Sequence, residues 1–172
     1  MERTLRNAFG SFPTGVAIVT ARDDCGQPIG ITINSFTSLS LTPPLVLWSL
    51  RLQSRCYPVF GKAEHFAINV LSKDQINLSQ FFAGQSRLAD VKMSVGITGV
   101  PTIDDCVCLF ECRRYNIQQG GDHAIFIGLV ENFAYDRGGE PLVFLRGQYT
   151  EAAVKGPLSA RQCHIAMATS IV

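Results

Sequence analysis

The sequence predicts a mainly β protein with some helix (α+β), a barrel or sandwich capped by a few helices. Three observations carry that expectation. From Ile29 the chain alternates, with Ile29, Ile31 and Ile33 on one side and Gly30, Thr32 and Asn34 on the other, the period of a half-buried strand. Two long runs, about Cys106 to Gln118 and His123 to Tyr135, meet at Gly120-Gly121-Asp122, residues that supply a tight turn. Helical signals are confined to two or three short stretches.

Taken in chain order, Leu5, Ala8, Phe9 and Phe12 form one apolar stripe at helical spacing, closed by Pro13. The β-branched run Val16 to Thr20 suits a buried strand, and Asp23 to Gly26 a turn. Pro43-Pro44 precedes a strand over Leu45 to Leu50, and Phe66 to Leu71 is another. Ser72 and Gln75 have capping-box spacing; the helix they open passes Leu78, Phe81 and Phe82 and stops near Gly84. Residues 85–101 read as loop. After a turn at Arg137 to Glu140 comes a short strand, Leu142 to Arg146. Six or seven strands result, in one domain over residues 1–153, with a tail over 154–172 that has no assigned role.

The chain has 172 residues, 47% of them hydrophobic and 17% charged, enough to bury a core without disulfide or metal staples. Fifteen Lys and Arg against 14 Asp and Glu leave a net charge of +1, which gives no general attraction to nucleic acid. The longest apolar stretch, Leu45 to Trp48 and past Ser49 to Leu50, is too short to span a bilayer, and the first ten residues show no export signal. A cytoplasmic protein without membrane or nucleic-acid partners is the expectation. No Cys-x-x-Cys pair occurs among the six cysteines, so reduced thiols are expected rather than zinc or redox chemistry. Cys106, Cys108 and Cys112 have the parity of one strand face.

Familiar catalytic motifs are missing. No two glycines lie two apart, and there is no Walker loop, H-E-x-x-H or G-x-S-x-G. Four stretches remain. Thr32 and Asn34 share a strand face and offer a hydroxyl and an amide, groups suited to the edge of a heteroaromatic ring, or simply to water. Arg51 and Ser54 follow a strand and could clamp a phosphate, or be ordinary loop residues. Phe81-Phe82 and Arg87 lie at a helix end, where aromatics are usually core. Gly120-Gly-Asp-His123 delivers a histidine to a strand start, where it could bind a ligand or only close the turn.

Together and in order these segments resemble the short-chain NAD(P)H:flavin oxidoreductases, the reductase components of two-component flavin-dependent monooxygenases. The segments that carry the resemblance are Phe12 to Thr20, Gly30 to Ser40, Pro43 to Leu47, Phe66 to Ser72, Phe82 to Gly84, Gly121 to His123 and Phe126 to Val130. It runs from about Arg6 to Glu151. Two departures are visible: Trp48 stands where the family more often has a small or aliphatic residue, and Leu88 to Met93 lacks the common D-R-F sequence.

The resemblance implies an FMN-binding split β-barrel that forms a homodimer. It implies that Thr32, Asn34 and Ser35 meet the isoalloxazine edge, and that Ile33 and Ser49 belong to the same cofactor site. Leu50, Arg51, Ser54 and Arg87 would hold the ribityl phosphate side, with Phe82 and Ala83 packed nearby and His123 bordering the nicotinamide. The implied cofactors are FMN (or FAD) and NADH or NADPH, and no metal. The implied function is reduction of flavin for a separate monooxygenase; a non-catalytic flavin carrier on the same barrel is the alternative. Backbone amides between Ser49 and Arg51 are candidates for stabilising negative charge on reduced flavin.

Overall fold

The structure is a computed structural model that describes residues 2–84 and 91–152. Helix α1 (Glu2–Phe9) leads into β1 (Thr14–Gly15), β2 (Ala17–Arg22), β3 (Pro28–Ile33), β4 (Thr37–Leu41) and β5 (Pro44–Arg51). A short α2 (Tyr57–Phe60), β6 (His65–Val70), a 3-10 turn over Lys73–Gln75 and α3 (Ile76–Phe82) follow. The second half is β7 (Met93–Val95), β8 (Pro101–Ile103), β9 (Cys108–Gly120), β10 (His123–Tyr135), β11 (Leu142–Leu145) and β12 (Gln148–Glu151).

Seven strands form one antiparallel sheet in the order β3-β2-β6-β9-β10-β5-β4. A three-stranded sheet, β1-β11-β12, and the hairpin β7-β8 complete the architecture. The large sheet curls until β3 comes beside β5, giving a split barrel whose seam is not closed by a strand ladder. Its interior follows the alternation read from the sequence. On β5, Val46, Trp48 and Leu50 are buried, and on β3 Ile29, Ile31 and Ile33 face the same core. Trp48 lies at the centre, stacked on Phe126 at 4.3 Å and edge-on to Phe60 and Phe66. The tryptophan that departs from the family pattern therefore fills the barrel core.

Gly128 makes room for this aromatic cluster: a Cβ there would stand 2.6 Å from the Phe66 ring. A buried polar network locks the hairpin against the barrel. Asn69 donates to the Ile18 carbonyl and to Thr20, and accepts from the Ile103 amide at 2.8 Å, so both polar atoms of its side chain find partners. At the capping box, the Ser72 amide donates to the Gln75 carboxamide at 3.0 Å.

Three differences from the sequence expectation stand out. Strands β4 and β12, and the β7-β8 hairpin inside the stretch read as loop, were not foreseen. Helix α1 ends at Phe9 and buries none of its residues; Leu5 and Phe9 are exposed, as is Phe12 beyond its end. Cys106 lies ahead of β9 rather than on it and packs in a second core around Ile18, Leu71 and Leu142. The tail over 154–172 lies outside the described residues.

Candidate functional site

The seam between β3 and β5 opens as a cleft of about 460 Å³, lined by residues 31–35, 49–51, Gln53, Ser54 and His123. Three segments far apart in sequence meet there because β10 pairs with β5, and His123 lies directly opposite Arg51. The β9-β10 turn is closed by the His123–Gly120 pair, with Gly121 at φ +63°, a conformation glycine adopts without cost. The Leu52 amide donates to the Asp122 carbonyl at 3.0 Å, tying this turn to the end of β5. The Ser54 amide then donates to the Arg51 carbonyl at 3.0 Å, so residues 51–54 turn at the cleft rim.

Several of the polar groups are already engaged. The Thr32 hydroxyl donates to the Ser79 carbonyl on α3 at 2.7 Å. The Ser35 hydroxyl accepts from the Ser49 amide at 3.0 Å and donates to the Ser49 carbonyl at 3.2 Å, stitching the two sides of the seam. The Ser54 hydroxyl accepts from the Cys56 amide at 3.3 Å. Asn34 is exposed, and Arg51 is exposed with no ion pair among the described residues. That leaves the Asn34 amide, the Arg51 guanidinium and the proton of the Ser54 hydroxyl for an incoming ligand.

His123 is held by its neighbour: Nδ1 lies 2.7 Å from the Asp122 carboxylate. The hydrogen bond to His123, with the charges of His123 and Arg51, keeps the Asp122 carboxyl below its usual range. If Nδ1 carries the proton, Nε2 is left as an acceptor. The buried thiols offer no nucleophile. Burial pushes Cys106 and Cys112 up to about 12 and Cys108 to about 11, far above the range of reactive thiolates.

Thr32, Ile33, Asn34, Ser35, Ser49, Leu50, Arg51, Ser54 and His123 thus line one cleft. Phe82 and Ala83 do not. Phe82 packs across Gly30, where a Cβ would stand 2.6 Å from its ring, and Ala83 caps α3. Arg87 lies outside the described residues. The sequence reading missed Gln53, which the 51–54 turn carries into the lining. The described residues contain no group of side chains placed to hold a metal ion, and no helix long and apolar enough to cross a membrane.

A flavin reductase like domain matches residues 9–153. The chain belongs to the flavin reductase family. Among similar members, FMN reductase (NADH) SmoA of Agrobacterium fabrum is 47% identical over 149 residues, covering 86% of this chain and 84% of that protein. The reductase component of a flavin-dependent trigonelline monooxygenase from Acinetobacter baylyi is 45% identical over 149 residues, covering 86% of this chain and 48% of that one. The NADH:FAD oxidoreductase of Streptomyces globisporus, solved in complex with NAD and FAD fragments, superimposes with a TM-score of 0.83 at 35% identity, covering 88% of this chain and 93% of that one. The chain spans about half the length of two of the curated flavin reductase relatives it matches.

Proposed function

We propose that this chain reduces FMN or FAD with NADH or NADPH and hands the reduced flavin to a separate flavin-dependent monooxygenase. The observation that carries the reading is the assembly of the residue 31–35 segment, the Arg51–Ser54 turn and His123 in one cleft. Its volume is of the size small-molecule sites have. Its free donors, the Asn34 amide, the Arg51 guanidinium and the Ser54 hydroxyl, suit a ring with carbonyl acceptors joined to a phosphate. The relatives' names, one an NADH-dependent FMN reductase and one a monooxygenase reductase component, support the same substrates and partner.

Bound flavin supplies the chemistry, accepting a hydride equivalent from the nicotinamide. The chain's own task is placement. Arg51 and Ser54 would hold the phosphate side and Asn34 would meet the ring edge, at the seam between β3 and β5. His123, fixed through Nδ1 by Asp122, borders the nicotinamide.

Homodimerisation belongs to the same reading. The outward faces of β5 and β10 carry Leu45, Leu47, Ile125, Ile127 and Leu129 side by side, an apolar surface continuous with the cleft. A second subunit there would cover the part of the flavin that one barrel leaves in water. Sedimentation shows a dimer if this is right and a fully active monomer if it is wrong.

The direct test mixes purified protein, FMN and NADH in air and follows nicotinamide absorbance. Flavin-dependent NADH oxidation is the expected result. Flavin binding without turnover, using either nicotinamide, overturns the catalytic reading in favour of a carrier.

A further inference from the structure

We infer that the backbone N–H of Arg51 is the donor this chain presents to the negatively charged edge of reduced flavin; the inference rests on the functional reading above. Strand geometry carries it. Successive peptide groups on a strand point to opposite neighbours. The Leu52 amide donates to the Asp122 carbonyl on the β10 side, so residues 50 and 52 spend their peptide groups on that ladder. Ser49 and Arg51 therefore point theirs the other way, into the seam.

No strand covers them there, because β4 pairs with β5 only as far as Leu47. Ser49 is satisfied in both directions by the Ser35 hydroxyl. The Arg51 carbonyl accepts from Ser54. The Arg51 N–H remains, directed at the cleft with no partner among the described residues. Of the three amides between Ser49 and Arg51, one is free.

The Thr32 and Ser35 hydroxyls cannot replace it, and the Ser54 hydroxyl is the one assigned to the phosphate side. The Thr32 and Ser35 protons are already given to the Ser79 and Ser49 carbonyls. A hydride from NADH brings two electrons and one proton, so flavin reduced without a further proton carries one negative charge, spread over N1 and the C2 carbonyl. A strand amide is fixed before that charge forms and needs no reorganisation to meet it. The donor therefore favours the reduced over the oxidised form.

Two variants isolate the N–H. Arg51→Ala and Arg51→Pro both remove the guanidinium, and only proline removes the amide proton. Proline at this position breaks no ladder hydrogen bond. The measurement is the dissociation constant of oxidised FMN and, anaerobically, of reduced FMN. We expect both variants to bind oxidised FMN similarly, and Arg51→Pro to bind the reduced form on the order of tenfold more weakly than Arg51→Ala, the worth of one hydrogen bond to a charged acceptor.

Equal ratios of reduced to oxidised affinity in the two variants would overturn the inference. Should Arg51→Pro not fold, the wild-type complex decides. Its Arg51 amide proton resonance should move downfield when bound FMN is reduced while that of Leu50 stays in place, and an unresponsive Arg51 resonance refutes the assignment. Wild-type protein that binds no FMN defeats the functional reading, and this inference with it.

Discussion

The Glu111 carboxylate takes two hydrogen bonds from Thr98 on one oxygen: amide and hydroxyl each reach Oε2 at 2.8 Å. Its other oxygen accepts from Asn132 at 2.8 Å, and the whole residue is 1% exposed. Gly96 is glycine for the same reason, since a Cβ there would stand 2.4 Å from the carboxylate. One buried anion thus fastens the β7-β8 turn to the barrel.

Burial alone would raise the Glu111 pKa; the hydrogen bonds from Thr98 and Asn132 outweigh it, and the folded value lies below the ordinary 4.5. A lowered folded value means the carboxylate stabilises the fold above about pH 4.5 and loses that contribution as pH falls through the folded value. Glu111→Gln should cost about 1.5–3 kcal/mol at neutral pH, the loss of charge-assisted bonds. Denaturant midpoints measured from neutral pH downward check both parts: the two proteins should converge as the pH drops.

Trp48 and its partners predict a graded series. Trp48→Ala should cost about 3–5 kcal/mol by opening a cavity beneath Phe126. Trp48→Phe should be milder, because it also removes a buried indole N–H that has no hydrogen-bond partner among the described residues. Urea unfolding of both variants checks the order. A phenylalanine variant as unstable as the alanine one contradicts it.

Gly30→Ala tests the α3 side of the site. The added methyl meets the Phe82 ring, so the helix end must shift, at about 1–3 kcal/mol. FMN titration should show weaker binding if Phe82 and Ala83 support the flavin. Unchanged affinity in a destabilised but folded variant removes them from that role.

His123→Ala should raise the KM for the nicotinamide on the order of tenfold, the worth of one well-placed hydrogen bond, and leave FMN affinity nearly unchanged. Asp122→Asn retains an acceptor for Nδ1 and should fall between the wild type and His123→Ala. Steady-state kinetics with NADH, paired with FMN titrations, separate the two effects.

Reduced flavin should leave the protein. A reductase and a monooxygenase kept anaerobically on opposite sides of a membrane that passes only small molecules, then exposed to oxygen on the monooxygenase side, should still yield product. Product that forms only when the two proteins can touch indicates docking instead.

Much of this was legible in the sequence, and the exceptions have physical causes. Strands with a strong period or a β-branched core run, such as Ala17–Arg22 and Pro28–Ile33, announce themselves in isolation. Thr37–Leu41 does not: three of its five residues are Ser or Thr, and only pairing with β5 makes them a strand. Met93–Val95 and Pro101–Ile103 are three residues each and owe their form to each other and to the Asn69 network. The α1 stripe was read correctly as apolar, but periodicity does not say what a face meets, and it faces outward. The cleft's short motifs were visible as residue types. The direction of the Arg51 amide was not, because it depends on which neighbour Leu50 and Leu52 pair with. Likewise nothing in the residue type told that the Thr32 hydroxyl is spent on Ser79.

The seam has a mechanical consequence. Its two walls, β3 and β5, are linked round the sheet through β2, β6, β9 and β10 and, across the seam, by residues 34–36 leading into β4, which pairs with β5, so the twist of the whole sheet contributes to the gap between them. Two register shifts in the β9-β10 pairing, at Ile127/Gly128 and Val130/Asn132, lie along that path, and bulges increase local twist. The cleft behaves like the opening of a C-shaped spring, with Ser35 and Ser49 as its clasp. Altering curvature at Gly128, on the opposite side of the clasp from β3, would widen or narrow the slot for a planar ring without touching a lining residue. Substrate preference in such a barrel can therefore drift through changes in its back wall.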